Sequence, residues 1–304
     1  MGNTRNAALA ALAGIALLTG CTTPPASTEP PKTPTTTTTS VAPADPGPLL
    51  DVERQYGVRL GMYALNIHTG QSLSYRDDEP FAMMSTFKTY AAAALLHKHP
   101  LSTGYFNTVI RYTEADLVAN SPVTSTRVAT GMTVAELCEA AITKSDNTAA
   151  NLMLKELGGP QAITEFARDI KDTRTRLDRT EPDLNTAIPG DDRDTTTPAA
   201  IGKGYESLVL GDVLPKPEKE QLTNWLLANT TGAERIRAGL PTDWKTADKT
   251  GSGDYGSAND VAITWTPTGT PLIIAILTTK GVENAPYDNK PIAAAAKVAA
   301  EALT

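Results

Sequence analysis

Strand-like segments lie near both ends of the folding part of this chain and helix-forming segments fill the interval, so a sheet can form only from pieces far apart in sequence. Residues 58–66 (Val-Arg-Leu-Gly-Met-Tyr-Ala-Leu-Asn) read as a strand, Thr69-Gly70 as a turn and residues 72–75 as a second strand. An Ala- and Leu-rich helix follows over residues 83–96, and further helical stretches run over about 133–143, 148–157, 160–169, 198–209 and 216–228. After Pro241 the pattern returns to β. Residues 257–266 and 271–279 are strand-like, joined by Thr268-Gly269, and an Ala-rich helix over 292–303 closes the chain. The expected fold class is α+β, an α/β sandwich. An antiparallel sheet is built from the N- and C-terminal segments (49–81 and 228–304) and flanked by helices. An all-helical lobe (about 82–227) completes it, with the active site in the cleft between the two.

The N-terminus does not belong to that fold. Arg5 precedes an apolar run, Ala7 to Leu18, too short to span a membrane and of the length of a signal-peptide core. The run ends in Leu18-Thr19-Gly20-Cys21, which resembles the bacterial lipobox. Residues 1–21 are therefore expected to be a lipoprotein signal peptide and Cys21 the lipidated residue, placing the protein outside the cell membrane on a lipid anchor. Residues 22–48 are rich in Thr and Pro, with Thr35 to Thr39 unbroken, and are expected to be a disordered tether. Residues 49–304 remain for the folded domain, enough for a substantial core. The formal charge of −7 speaks against a nucleic-acid partner, and with no sign of an oligomer a monomer is expected.

Cys138, on the apolar side of the helix over 133–143, reads as a buried inert thiol. His68, His97 and His99 show no metal-ligand spacing, and the last two precede Pro100 at a helix end, where capping is their expected use. No metal or cofactor is implied. Ser85 and Lys88 are one helical turn apart on the same face of a mostly apolar helix. A lysine carried inward there must find a partner or lose its proton, and beside a hydroxyl it is a candidate base for a nucleophile. Ser-x-x-Lys alone favours the plainer reading of a serine N-cap with a snorkelling lysine, so the pattern needs partners. They follow in order. Ser145-Asp146-Asn147 lies in a break between helices, Glu181-Pro182-Asp183-Leu184-Asn185 in an aperiodic segment over 175–197, and Lys249-Thr250-Gly251 on the strand entering the final sheet. Aperiodic segments of that length inside a domain are usually functional.

Together these motifs resemble the class A serine β-lactamases. Ser121-Pro122-Val123, Arg176-Leu177-Asp178-Arg179, Ala187-Ile188-Pro189 through Thr196, and Leu240-Pro241 through Trp244 extend the resemblance over essentially the whole folded domain. It implies hydrolysis of the β-lactam ring of penicillins and cephalosporins through an acyl-enzyme on Ser85, and with it β-lactam resistance. It further implies an oxyanion hole from the Ser85 and Ser252 N–H groups, and either Lys88 or Glu181 as the acylation base. Ser145 would pass a proton to the departing ring nitrogen, with Lys249 holding its hydroxyl. Glu181 would be the deacylation base, Asn185 the other water ligand, and Asn151 would help to hold the loop. Asn147 would bond the substrate's side-chain amide, and Thr250 and Ser252, flanking Gly251, would meet its carboxylate. An Arg179–Asp194 salt bridge and a cis Glu181-Pro182 bond belong to the same resemblance, with Asp146 organising its own loop and Arg237 structural.

Many family members carry a carboxylate-binding arginine where Ala258 stands here. A subset supplies it from the segment before the strand, and Arg235 matches that subset. Asn120 stands where the family often has an aromatic at the mouth of the cleft. Gly251-Ser252-Gly253-Asp254-Tyr255-Gly256 matches a dinucleotide fingerprint by letter only, because a strand is expected after it and not a helix. Two other functions compete: a penicillin-binding DD-peptidase that stays acylated, and a non-hydrolytic lipoprotein that senses β-lactams or peptidoglycan. Glu181 with Asn185 is the feature that favours hydrolysis.

Overall fold

The computed structural model describes residues 42–304, so the signal peptide, Cys21 and most of the Thr/Pro-rich stretch lie outside the described residues. Helix α1 (Gly47–Tyr56) opens directly after Pro46, two residues inside the stretch expected to be a tether. Its apolar content is slight, but Leu49 and Val52 are buried in the core formed with the final helix, and tertiary contact supplies what the local pattern lacks.

Strands β1 (Arg59–Asn66), β2 (Ser72–Tyr75) and the short β3 (Phe81–Ala82) follow. A 3₁₀ turn over Met84–Thr86 leads into helix α2 (Phe87–Lys98). The short strands β4 (Val109–Ile110) and β5 (Met132–Thr133) pair with each other ahead of helices α3 (Val134–Thr143), α4 (Asn147–Leu157) and α5 (Gln161–Asp169). A long loop then runs to β6 (Thr195–Thr196), which pairs with β3. Helices α6 (Pro198–Val209), α7 (Lys216–Leu227) and the single turn α8 (Ile236–Gly239) precede strands β7 (Lys245–Gly253), β8 (Ser257–Trp265) and β9 (Pro271–Thr279). Helix α9 (Lys290–Leu303) ends the chain.

The five-stranded sheet runs β2-β1-β9-β8-β7 with every neighbour antiparallel. The N-terminal hairpin is completed by the last strand, with Met62 opposite Ile276, and β7 is left as a free edge. Both faces are buried, so β9 is apolar from Pro271 to Leu277, not alternating. Ile274 and Ile276 face α1 and α9, whereas Ala275 and Leu277 face the core shared with α2 and α6. Alanines 295, 296 and 299 let α9 lie close to the sheet. The hairpin between β7 and β8 turns through Tyr255 (φ +54°) and Gly256 (φ +64°), so a strand follows the glycine-rich stretch, as expected.

Helix α2 is buried from Phe87 to Leu96 without a break, the axis around which the helical part packs. Its start is tied to both neighbours. Asn259 Nδ2 on β8 donates to the Ala82 carbonyl (2.8 Å), and Tyr205 Oη on α6 donates to the Thr86 carbonyl (2.9 Å). Tyr90 Oη donates to Asp172 Oδ2 (2.8 Å) and fits against Gly204 of α6, where a Cβ would collide with the phenol. Although α6 falls in the segment assigned to the helical lobe, its buried side packs on the sheet against β1, β8 and β9.

The long loop, residues 175–197, carries one 3₁₀ turn at Asp183–Asn185. Its neck is closed by Asp194, whose Oδ1 accepts the Asp178 and Arg179 amides (2.7 and 2.9 Å) and whose Oδ2 pairs with Arg179 Nε at 2.6 Å. The Glu181-Pro182 bond is cis.

Replacing Gly204 with alanine is expected to overpack the α2–α6 contact and lower the unfolding free energy by about 1–3 kcal/mol. Urea denaturation checks this; an unchanged midpoint would show that the two helices part without cost.

Candidate active site

The motifs expected to cooperate converge on the N-terminal end of α2. Ser85 lies in the 3₁₀ turn, and Met84 before it has φ +49°, a strained conformation for a residue with a side chain. Among the described residues the Ser85 N–H has no backbone acceptor. Strand β7 approaches so closely that a Cβ on Gly251 would lie 3.2 Å from Ser85 N. Only glycine leaves that passage open.

Lys88, one turn into α2, is fully buried. Its Nζ donates to Asn147 Oδ1 (2.7 Å) and the Ser145 carbonyl (2.8 Å), and pairs with Glu181 Oε1 at 3.0 Å. Three close acceptors match the three protons of an ammonium. Burial pushes the Lys88 pKa down, and the Glu181 carboxylate pulls it back up. Ser85 Oγ lies 3.4 Å from Glu181 Oε1, and Ser85 and Lys88 share no direct hydrogen bond.

Glu181 is delivered by the long loop and held by its backbone. Its N–H donates to Asn151 Oδ1 and its carbonyl accepts Asn151 Nδ2, both at 2.9 Å, which locks the loop to α4. Asn185 Nδ2 donates to Glu181 Oε2, while Asn185 Oδ1 is buried without a partner among the described residues.

Ser145 (φ +55°) turns its hydroxyl toward the opposite wall, where Lys249 Nζ donates to it at 3.0 Å. Burial, reinforced by the nearby Lys88 charge, pushes Lys249 well below the usual lysine range. Asp146 caps α4 through the Ala149 amide (2.9 Å) and also accepts the Val123 and Thr124 amides and the Thr124 hydroxyl, so it organises its own loop. Asn120 Nδ2 donates to the Ser145 carbonyl at 3.2 Å from the rim.

On the β7 side, Thr250 Oγ1 meets Thr231 Oγ1 at 2.5 Å and Ser252 Oγ accepts Arg235 Nη2 at 2.6 Å. Arg237 pairs with Asp248 and does not face the cleft residues. The sequence reading missed Thr231, Asn289 and the buried pair Asn259-Asp260. The last two were detectable, because two polar residues inside the apolar run of β8 need partners.

Ser85, Ser145, Asn147, Asn185, Thr250 and Arg235 line one cleft of about 730 Å³. A smaller cavity of about 380 Å³ behind the long loop, between Phe81, Ile188 and Lys280, contains none of these side chains. His97 packs near Phe166 and His99 stacks on Tyr105, so neither reaches Ser85. Cys138 is buried and its thiol pushed up by desolvation. The arrangement offers a nucleophile, a carboxylate base, a relayed hydroxyl and a cationic wall, the groups acyl transfer requires.

Comparison with known proteins agrees. The profile described as "Beta-lactamase enzyme family" matches residues 49–303. The β-lactamase AST-1 of Nocardia asteroides is 56% identical over 269 residues, covering 88% of this chain and 86% of its own. FAR-1 of Nocardia farcinica is 54% identical over 252 residues, covering 83% and 80%. Among solved structures, the β-lactamase of Streptomyces albus G superposes with a TM-score of 0.82 at 48% identity, covering 84% of this chain and 98% of that one.

Asn151→Ala is expected to lower stability by about 1–3 kcal/mol through its two lost hydrogen bonds. The Glu181 amide should then lose protection from hydrogen exchange; retained protection would mean that other contacts hold the loop.

Proposed function

The chain belongs to the class A serine β-lactamase family and hydrolyses β-lactams, and on that premise we propose how its own residues divide the reaction. Ser85 Oγ attacks the lactam carbonyl carbon and its proton passes to Glu181. Glu181 is the base within reach at 3.4 Å, and the three protons of Lys88 are all engaged. The oxyanion is received by the Ser85 and Ser252 amides. As the C–N bond breaks, Ser145 gives its proton to the ring nitrogen, with Lys249 at 3.0 Å stabilising the hydroxyl oxygen as charge grows on it. Lys88, 3.4 Å from Ser145 Oγ and 3.0 Å from Glu181 Oε1, then hands a proton to Ser145 and takes the one Glu181 holds, so that Glu181 is a carboxylate again before water attacks.

The observation that carries hydrolysis is Glu181 beside Ser85, with Asn185 anchoring its second oxygen. The unpartnered Asn185 Oδ1 and the Glu181 carboxylate together form a cradle for a water. Glu181 takes that water's proton, the hydroxide attacks the ester, and Ser85 leaves with its proton restored. Asn147 meets the substrate's side-chain amide, and Asn120 borders the mouth of the cleft. Thr250, Gly251 and Ser252 receive the carboxylate, with Arg235 behind Ser252 supplying the positive charge that Ala258 cannot. Arg179 and Asp194 support the loop. Lipidation at Cys21, an envelope location and a part in β-lactam resistance are further proposals. They rest on the Leu18-Thr19-Gly20-Cys21 pattern and on the reaction itself. Partition into a detergent phase, lost in Cys21→Ser, tests the anchor.

Intact-mass spectrometry with benzylpenicillin tests the division of labour. Glu181→Ala is expected to hold a covalent acyl group on Ser85 while the parent turns over with little adduct. A parent that stays acylated without turnover would indicate a DD-peptidase or sensor.

Lys249 must be charged to assist Ser145, so kcat/KM should fall as pH rises through its lowered pKa, earlier than for an ordinary lysine. Lys249→Arg should move that alkaline limb upward; an unmoved limb would assign it to another group.

A further inference from the structure

Arg235 is almost fully buried, and every direct partner of its guanidinium is neutral. Nε donates to Asn289 Oδ1 (2.8 Å), Nη1 to the carbonyls of Gly251 (2.7 Å) and Asn259 (2.6 Å), and Nη2 to Ser252 Oγ (2.6 Å). A buried guanidinium with neutral partners alone is costly unless a carboxylate lies nearby. Asp248 is committed to Arg237 and to Asn229 Nδ2.

Glu234 is exposed and accepts Asn289 Nδ2 (2.8 Å). The remaining buried acid is Asp260. It is completely buried on β8, opposite Thr250 of the Lys-Thr-Gly strand, and forms no salt bridge among the described residues. Its Oδ2 accepts the Ile236 amide at 3.0 Å, at the peptide that joins Arg235 to α8. Its Oδ1 has no partner among the described residues. At Arg235 itself the backbone (φ −110°, ψ −123°) is neither helical nor extended, so the chain is directed there by its contacts. Asp260 is the side chain that grips it.

We propose that Asp260 is a positioning residue for substrate recognition: by holding the Ile236 amide from beneath, it aims Arg235 at Ser252 and so at the substrate's carboxylate. The inference rests on the carboxylate-binding role given to Arg235 above. Asp260 touches no substrate, and its working part is an acceptor oxygen. Burial and the neighbouring Asp248 push its pKa up, whereas Arg235 and Lys249 oppose this. An asparagine side-chain oxygen can accept the same Ile236 amide, so asparagine is a fair replacement.

The test measures KM and kcat for benzylpenicillin and for its methyl ester, which lacks the anionic carboxylate, in Arg235→Ala, Asp260→Ala, Asp260→Asn and the Arg235→Ala/Asp260→Ala double variant. Asp260→Ala is expected to raise KM for the acid by about tenfold, with kcat within about threefold and the ester little affected. Asp260→Asn should restore KM to within about threefold, and in the Arg235→Ala background the second substitution should add less than about twofold. Equal losses on acid and ester, or additive effects in the double variant, would reduce Asp260 to a stability residue and overturn the proposal. If Arg235→Ala shows no preference between acid and ester, the carboxylate role of Arg235 falls and this inference with it. Should Asp260→Ala not fold, Asp260→Asn decides. A KM for the acid held within about threefold supports the acceptor role, and a rise of about tenfold on both substrates refutes it.

Discussion

The pairing of Lys88 with Glu181 is the interaction on which the site depends. Both side chains are fully buried at 3.0 Å, and taking such charges out of water costs several kcal/mol per ion unless each is surrounded by further partners. The partners arrive from elements that have no other reason to meet. Helix α2 supplies the lysine, the turn before α4 supplies the Ser145 carbonyl, α4 supplies Asn147 at its first position, and the long loop supplies the glutamate with Asn185 beside it. The grip of Asn151 on the Glu181 backbone and the closure of the loop neck by Asp194 are therefore conditions for the ion pair as much as features of the loop.

Around that pair the site concentrates positive charge inside a protein whose overall charge is negative. Lys88, Lys249 and Arg235 are all buried, and the acids that offset them are divided in space. Glu181 lies on the reacting side beside Ser85, whereas Asp248 and Asp260 lie on the other face of β7 and β8, beneath the segment that carries Arg235 and Arg237. Because β7 is an edge strand of the sheet, it can present Thr250 to Ser252 to the cleft while its other side remains paired to β8. An anionic substrate would meet uncompensated positive charge on this wall and the ionised base on the opposite one.

Elements with strong local signals were legible. The helix at 198–209 and the strand at 271–279 coincide with their expected bounds, because Pro at the helix start and an unbroken apolar run over 271–277 act within the segment itself. Helix α1 was not legible, since only Leu49 and Val52 anchor it and its stability comes from a core completed about 240 residues later. The four motifs showed which residues would meet but not which atoms. The one-turn spacing of Ser85 and Lys88 made the lysine a candidate base, whereas its Nζ is directed to Asn147, Ser145 and Glu181, because a buried ammonium seeks the richest set of acceptors.

By itself the sequence determined the chemistry-bearing residues, their order, the two-ended sheet and the aperiodic loop, since these depend on residue type and short-range periodicity. Tertiary structure alone decided three further things. It placed Glu181 within 3.4 Å of Ser85, it gave Arg235 a buried seat of neutral partners, and it put Asp260 beneath that seat. Each of these joins residues far apart in the chain through distances of about 3 Å, at which desolvation and hydrogen-bond geometry select among partners that residue type leaves equivalent.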